Sequence, residues 1–224
     1  MDEQIVSKHY DSDYFHWQRT IGEFGGVANS FKFKKSIRRG DTVVDFGCGG
    51  GFLLKNLDCA VRLGIEVNKS AHRQIIENGV LPFSSASQII AQRGTESVDV
   101  IISNHALEHT LDPLGEIKSL LPLLKTGGKI HFVVPCDKAS LKWKSGDRNF
   151  HLYSWSPMNL GNLITEAGFE VMATNHLVHK WPPRYREIQR IVGWRAFNVL
   201  CRLWGHLERS WSQVEVIATP KMCS

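Results

Sequence analysis

The sequence has no CxxC pair and no run of apolar residues approaching the ~20 that a membrane-crossing helix needs. Its cysteines, Cys48, Cys59, Cys136, Cys201 and Cys223, are odd in number and scattered, so neither a disulfide framework nor a zinc site is indicated, and no metal is expected. The opening MDEQIVSKHYDSDY carries acids and polar residues where a signal peptide needs an apolar core. Internal repeats and low-complexity runs are also missing. Together these absences point to a soluble, cytoplasmic protein. With 224 residues, 42% of them hydrophobic, the chain can bury one substantial core but has little room for a second domain. A single domain over residues 1–224 is expected.

From Thr42 onward, short β-rich runs alternate with longer helical patterns, the signature of βαβ units and an α/β fold with a parallel sheet. Thr42–Phe46, Val61–Val67, Val98–Ser103 and Lys129–Val134 read as buried strands. Asp112-Pro113 starts a helix as N-cap and first-turn proline, Leu114, Ile117, Leu120, Leu121 and Leu124 recur at helical spacing, and Gly127-Gly128 is its expected stop. Ser156-Pro157 starts another, stopped by Gly168 and followed by the strand-like Phe169–Asn175. Arg184–Leu207 reads as one long helix with a broad apolar stripe (Ile188, Ile191, Val192, Phe197, Leu200, Leu203, Leu207), and Gln213–Thr219 as a last strand. Before Thr42, Tyr10–Trp17 and the glycines Gly22, Gly25 and Gly26 read as a loop or cap ahead of a first helix ending near Arg39-Gly40. The layout is thus a cap and first helix (1–39), a core (40–178), a helical insertion (179–210) and a last strand with its tail (211–224).

The informative motif is Val43-Val44-Asp45-Phe46-Gly47-Cys48-Gly49-Gly50-Gly51, a buried strand entering a glycine-rich turn. Such a turn, at a strand's C-terminal end, lies where open α/β sheets bind ligands, and glycine lets a ligand lie against the main chain. Glu66, twenty-one residues beyond Asp45, ends the next strand, where a carboxylate accepts hydrogen bonds from ribose hydroxyls. A dinucleotide fingerprint is GxGxxG, whereas Gly47, Gly49 and Gly51 form GxGxG, with bulky Phe52 next. Asp45 would repel a pyrophosphate but suits a ligand carrying an amino group and a sulfonium.

These residues, with Val98–His109 and Leu124-Lys125-Thr126-Gly127-Gly128-Lys129, resemble the class I S-adenosylmethionine-dependent methyltransferases over roughly 40–171. The resemblance implies a doubly wound, Rossmann-like seven-stranded sheet ordered 3-2-1-4-5-7-6 with an antiparallel last strand, and S-adenosylmethionine as cofactor. It places Asp45, Gly47, Cys48, Gly49 and Gly51 at the methionine part, Glu66 at the ribose, and Ser103, Asn104 and His105 near the methyl group. The family often holds adenine with an acidic residue after the third strand; Leu81-Pro82-Phe83-Ser84-Ser85 has none, which leaves Ser84 or a backbone carbonyl. Arg19, near Tyr14, Trp17 and Gln18, is placed to pair the cofactor carboxylate from a lid, or the aromatics staple the segment to the core.

A sulfonium is an activated donor, so the protein must chiefly align acceptor and methyl and exclude water. A hydroxyl or ammonium acceptor also loses a proton, for which histidine is suited. His105, His109 and His151 are the candidates, each with the alternative of a capping or backbone-bonding role. The spacing Trp17-Gln18-x-x-Ile21-Gly22 resembles bacterial methyltransferases of surface-polysaccharide synthesis, which implies a sugar or sugar-nucleotide among small-molecule or glycan acceptors. The basic, tryptophan-bearing 184–207 helix suggests a membrane surface, an anionic acceptor, a homodimer face or simply a solvated basic face. Nucleic-acid modification is the rival, but Asn104-His105-Ala106-Leu107 lacks the (Asn/Asp)-Pro-Pro-(Tyr/Phe) motif. A non-catalytic cofactor-binding partner is the other.

Overall fold

The computed structural model describes residues 12–221 apart from 139 and 148, with side chains from residue 20 onward. One sheet contains β1 (Thr42–Phe46), β2 (Val61–Ile65), β3 (Leu81–Phe83), β4 (Val98–Asn104), β5 (Leu124–Asp137), β6 (Phe169–Leu177) and β7 (Trp211–Pro220). Their spatial order is β3-β2-β1-β4-β5-β7-β6. All pairs are parallel except those of β7, which runs antiparallel to both β5 and β6. This is the order the family resemblance implies. Pro82, which cannot donate to a ladder, is tolerated because β3 is an edge strand.

Helices cover both faces: α1 (Ser12–Phe33), α2 (Phe52–Lys55), α3 (His72–Glu77), α4 (Ala86–Arg93), α5 (Pro113–Leu120), α6 (Pro157–Glu166) and α7 (Tyr185–Glu208). Alternate strand residues point to opposite sides. Val43, Val100, Ile102 and Val133 pack with Phe33, Leu53, Leu54 and Ile75 from α1 to α3. Val44, Ile101, Phe132 and Val134 pack with Ile89, Ile117, Leu160 and Ile164 from α4 to α6. Because both faces are covered, the central strands are continuous apolar runs.

Three local expectations are corrected. The helix α1 runs unbroken through Gly22, Gly25 and Gly26, where a loop or cap was expected. These glycines serve contact: a Cβ on Gly26 would lie 2.3 Å from the Phe52 carbonyl oxygen, and one on Gly22 would lie 2.5 Å from the Phe52 ring. Gly127-Gly128 does not stop α5, which ends at Leu120; Pro122 lies in a 3-10 turn that follows, and both glycines lie within β5. Proline lacks the N–H that would continue the helix. Finally, α7 is kinked at Gly193 (φ 73°, ψ 171°), and its buried side is Phe197, Cys201 and Gly205. Most of the expected stripe faces outward, with Ile191 84% and Leu207 78% exposed. Among the described residues no helix is long and apolar enough to cross a membrane.

The insertion bearing α7 folds back on α1. Phe24 meets the rings of Tyr185, Trp181, Trp194 and Phe197 at centroid distances of 4.7, 5.0, 5.1 and 5.6 Å. Aromatic contacts of this kind contribute about 0.5–1.5 kcal/mol each beyond area burial. They hold α1 beside the C-terminal ends of β1 and β4.

Candidate active site

A cavity of about 460 Å³ opens at that edge, walled by α1, the turn after β1, the turn after β4, and β7. The turn after β1 is possible because Gly47, Gly49 and Gly51 have φ of 72°, 53° and 74°, the left-handed region that side chains with a Cβ avoid. A Cβ on Gly47 would also lie 2.2 Å from the Ala106 side chain, so this glycine brings the turns after β1 and β4 together. The Gly47 and Cys48 amides donate to the Ile65 carbonyl at 2.9 and 3.1 Å, tying the turn to β2.

Asp45 lies at the floor of the cavity, 2% exposed. Burial, and then the charge of Glu66, push its carboxyl well above the ordinary aspartate value. Glu66 stands behind the turn rather than in the cavity lining: its Oε2 accepts the Gly49 N–H and its Oε1 the Asn68 N–H, both at 2.9 Å. Burial raises its pKa, against those hydrogen bonds.

Cys48, Gly49, Asn104, His105, His109 and His151 line the cavity with Asp45 and Gly47. Gly51 does not; it is the N-cap residue just ahead of α2. Ser103 is fully buried and donates its hydroxyl to the Phe46 carbonyl at 2.9 Å, so it joins β4 to β1. Ser84 lies past the end of β3, its amide on Gln88 Oε1 at 2.7 Å. The Cys48 thiol is buried and pushed up, first by burial and then by Asp45 and Glu66, which opposes thiolate formation. The side chain of Arg19, like those of Tyr14, Trp17 and Gln18, lies outside the described residues.

The three histidines gather around Glu108, which is 0% exposed. His105 Nδ1 and His109 Nε2 stand 3.3 and 3.7 Å from its Oε1. Burial opposes the charge on Glu108, but His105 close beside it, and then the charge of His109, hold it below the ordinary glutamate value. Burial lowers the pKa of His109, against the pull of Glu108. His105 also faces Gln213 Oε1 through Nε2 at 3.3 Å and stacks on Trp211 at 5.4 Å between centroids. His151 Nδ1 is 3.1 Å from Asp137 Oδ2. Its ring and that of His109 lie 5.2 Å apart.

Sequence reasoning missed Lys32, Gln213 and His179, which line the same cavity. Lys32 Nζ donates to Gln213 Oε1 at 2.5 Å and Asn104 Oδ1 at 3.1 Å. Burial lowers its pKa to about 7, against the charge of Glu215. Burial and the Lys32 charge lower His179 to about 4. No local signal marks these residues, since the fold alone brings them in from α1, β7 and the insertion.

Comparison with known proteins gives a match of residues 24–174 to a family described as methyltransferase domain. The ubiquinone biosynthesis O-methyltransferase of Aliivibrio fischeri is 33% identical over 101 residues, 42% of this chain and 43% of that protein. The match therefore spans less than half the length of this curated relative. A SAM-dependent methyltransferase structure from Thermotoga maritima superposes with a TM-score of 0.66 at 16% identity, covering 95% of this chain and 97% of that one. A phosphoethanolamine N-methyltransferase 2 from Haemonchus contortus, in complex with phosphomonomethylethanolamine and S-adenosylhomocysteine, has a TM-score of 0.58 at 14% identity, with coverages of 97% and 61%. At such identities the structural likeness establishes the fold.

Proposed function

The chain belongs to the methyltransferase-domain family, with S-adenosylmethionine as its cofactor, and we propose that it is an enzyme that methylates a hydroxyl of a small-molecule acceptor. The observation that carries this reading is that one cavity joins the glycine turn and Asp45 to a histidine held on a buried carboxylate. The residues present fit the cofactor. Three left-handed glycines leave main chain open to a ligand, and the buried Asp45 carboxyl, beside which no cation stands among the described residues, is the partner an amino group requires. Glu66 retains lone pairs beyond those taken by Gly49 and Asn68, and these suit ribose hydroxyls. When bound, the cofactor supplies an activated methyl group on a sulfonium.

The protein's own task is alignment, exclusion of water and proton removal. His105 is placed for the last. Its Nδ1 lies 3.3 Å from the Glu108 carboxylate, which favours the tautomer carrying hydrogen there, and the proton is taken at Nε2 once an acceptor hydroxyl displaces the Gln213 amide oxygen that Nε2 faces. The relative named an O-methyltransferase supports a hydroxyl acceptor. Trp181 and Trp211, both on the cavity wall, offer flat faces for an aromatic or sugar ring, which keeps the sugar acceptor within the proposal.

Calorimetric titration with S-adenosylhomocysteine, beside NAD, tests the core of this reading. Micromolar binding of the first, weakened at least about tenfold in Glu66→Ala, is expected; failure to bind it, or preference for NAD, overturns the proposal. Labelled-methyl transfer to matched hydroxyl and amine acceptors then tests the acceptor class.

We also propose that the outer side of α7 meets an anionic membrane surface. Ile191, Val199, Leu203 and Leu207 are exposed there beside the exposed Arg195 and Arg202. Trp143, 89% exposed, stands between Lys142 and Lys144 in a segment whose Lys138 shares a surface recess with His206 and Arg209 at the end of α7.

A further inference from the structure

Glu108 is inside the protein, and among the described residues neither of its oxygens completes a hydrogen bond. The contact with His105 Nδ1 is within ion-pair distance but misses hydrogen-bond geometry. A buried carboxylate without donors costs several kcal/mol, so a fold that keeps one ordinarily brings a cation to it. Lys32, the buried cation of this cavity, is committed to Asn104 and Gln213.

One ligand atom from each of Glu108, His109 and His151 lies within 4.8 Å of the others. Both rings are held from behind. His151 Nδ1 donates to Asp137 Oδ2, which leaves its Nε2 with a lone pair, and the ring of His109 is hydrogen-bonded to the main chain at Phe150. A carboxylate or carbonyl behind the imidazole is the outer support that metal-binding histidines characteristically have.

We propose that Glu108, His109 and His151 form a binding site for one divalent transition-metal ion, with its remaining positions open to the cavity. Two imidazoles and a carboxylate favour zinc, manganese or ferrous iron over magnesium and calcium, which prefer all-oxygen sets. Three protein ligands with an open position is also the composition of a catalytic rather than a structural site. This deepens the methyl-transfer reading and rests on it for its chemical role. There the ion would acidify an acceptor hydroxyl, whose proton would pass to His105. The hydroxyl oxygen would then form the C–O bond as the C–S bond of the donor breaks, the electron pair of that bond staying on sulfur. The ion does not change oxidation state. The residues of this site come from two turns distant in sequence, and cysteine is absent from them, which is why a search for zinc-type spacing does not find it.

The test uses the full chain, stripped with chelator and dialysed, then titrated with Co²⁺ and Zn²⁺, with Mg²⁺ as control. One Co²⁺ per chain, seen in its visible absorption spectrum and displaced by Zn²⁺, is expected. Binding should weaken at least about 100-fold in His151→Ala and in the near-isosteric Glu108→Gln, and about 10–100-fold in Asp137→Asn. Circular dichroism and S-adenosylhomocysteine titration of each variant show that it is folded. Failure of the stripped protein to bind either ion, or binding indifferent to both His151→Ala and Glu108→Gln, overturns the metal site. Because S-adenosylhomocysteine is titrated separately, that failure is distinct from failure of the methyltransferase reading.

Discussion

In the proposed function, Asp45 is a residue that trades stability for a ligand. Its carboxyl is buried beside Glu66, and both burial and that charge raise its pKa above 3.8. The stability linked to the protonated form is fully present below the unfolded-state value and is lost as pH rises through the raised folded one. A ligand amino group lowers the pKa again, so S-adenosylhomocysteine should bind more tightly with rising pH across that window, by up to about tenfold per unit, and release protons as it binds. Asp45→Asn should therefore raise the melting temperature of the ligand-free protein while weakening S-adenosylhomocysteine at least about tenfold. Thermal melts with and without ligand, and calorimetry in two buffers of different ionisation enthalpy, check both halves; a less stable variant with unchanged affinity would refute the assignment. The positions of Asp45 and Glu66 were legible because both stand at the ends of strands a fixed separation apart. Lys32 was not: within Phe31-Lys32-Phe33-Lys34-Lys35 it reads as part of a solvated basic run, yet it is 7% exposed.

At the scale of an element, α1 tests what its glycines are for. Helix propensity favours alanine over glycine by about 1 kcal/mol, so a glycine that is merely present should be improved by replacement. Gly25→Ala places its Cβ 3.5 Å from Trp181, an ordinary contact, and should be neutral or slightly stabilising. Gly26→Ala places its Cβ 2.3 Å from the Phe52 carbonyl oxygen, part of a backbone that cannot swing aside. Overpacking of this kind costs about 1–3 kcal/mol, which exceeds the propensity gain. For a chain of this size that is a fall in Tm of roughly 2–4 °C per kcal/mol, and affinity for S-adenosylhomocysteine should fall with it because α1 is a wall of the cavity. Equal melting temperatures for the two variants would show that the packing argument is wrong. The same contact explains why the helix was read as a loop, since a glycine cluster looks like a break until its neighbour is known. Conversely, α6 was plain in the sequence because its start at Ser156-Pro157, its apolar face and its stop at Gly168 all lie within thirteen residues, and the structure adds a reciprocal cap between Ser156 and Asn159.

For the molecule as a whole, the strands β1, β2, β4 and β5 were legible because their period and spacing are local properties, whereas their order was implied by the family resemblance that the glycine turn carries. The outward turn of α7 was not, since an apolar stripe in sequence does not say which side faces the core. Here Phe197 and Cys201 face inward and Leu203 and Leu207 face solvent, 56% and 78% exposed. A chain with net charge +5 and pI near 9.0 will drift to any anionic surface, so weak binding to acidic vesicles alone decides little. The informative change keeps the charge and removes the apolar contact. The double variant Leu203→Ser, Leu207→Ser alters exposed residues only, so the fold should hold, whereas each leucine fully inserted into lipid contributes about 1.5–3 kcal/mol. Cosedimentation with vesicles containing phosphatidylglycerol should weaken at least tenfold in that variant, and the residual binding should vanish at high salt. Undiminished binding would make the attraction purely electrostatic. Loss of a concentration-dependent dimer in the same variant, without any effect on vesicles, would assign the stripe to a second copy of the chain instead.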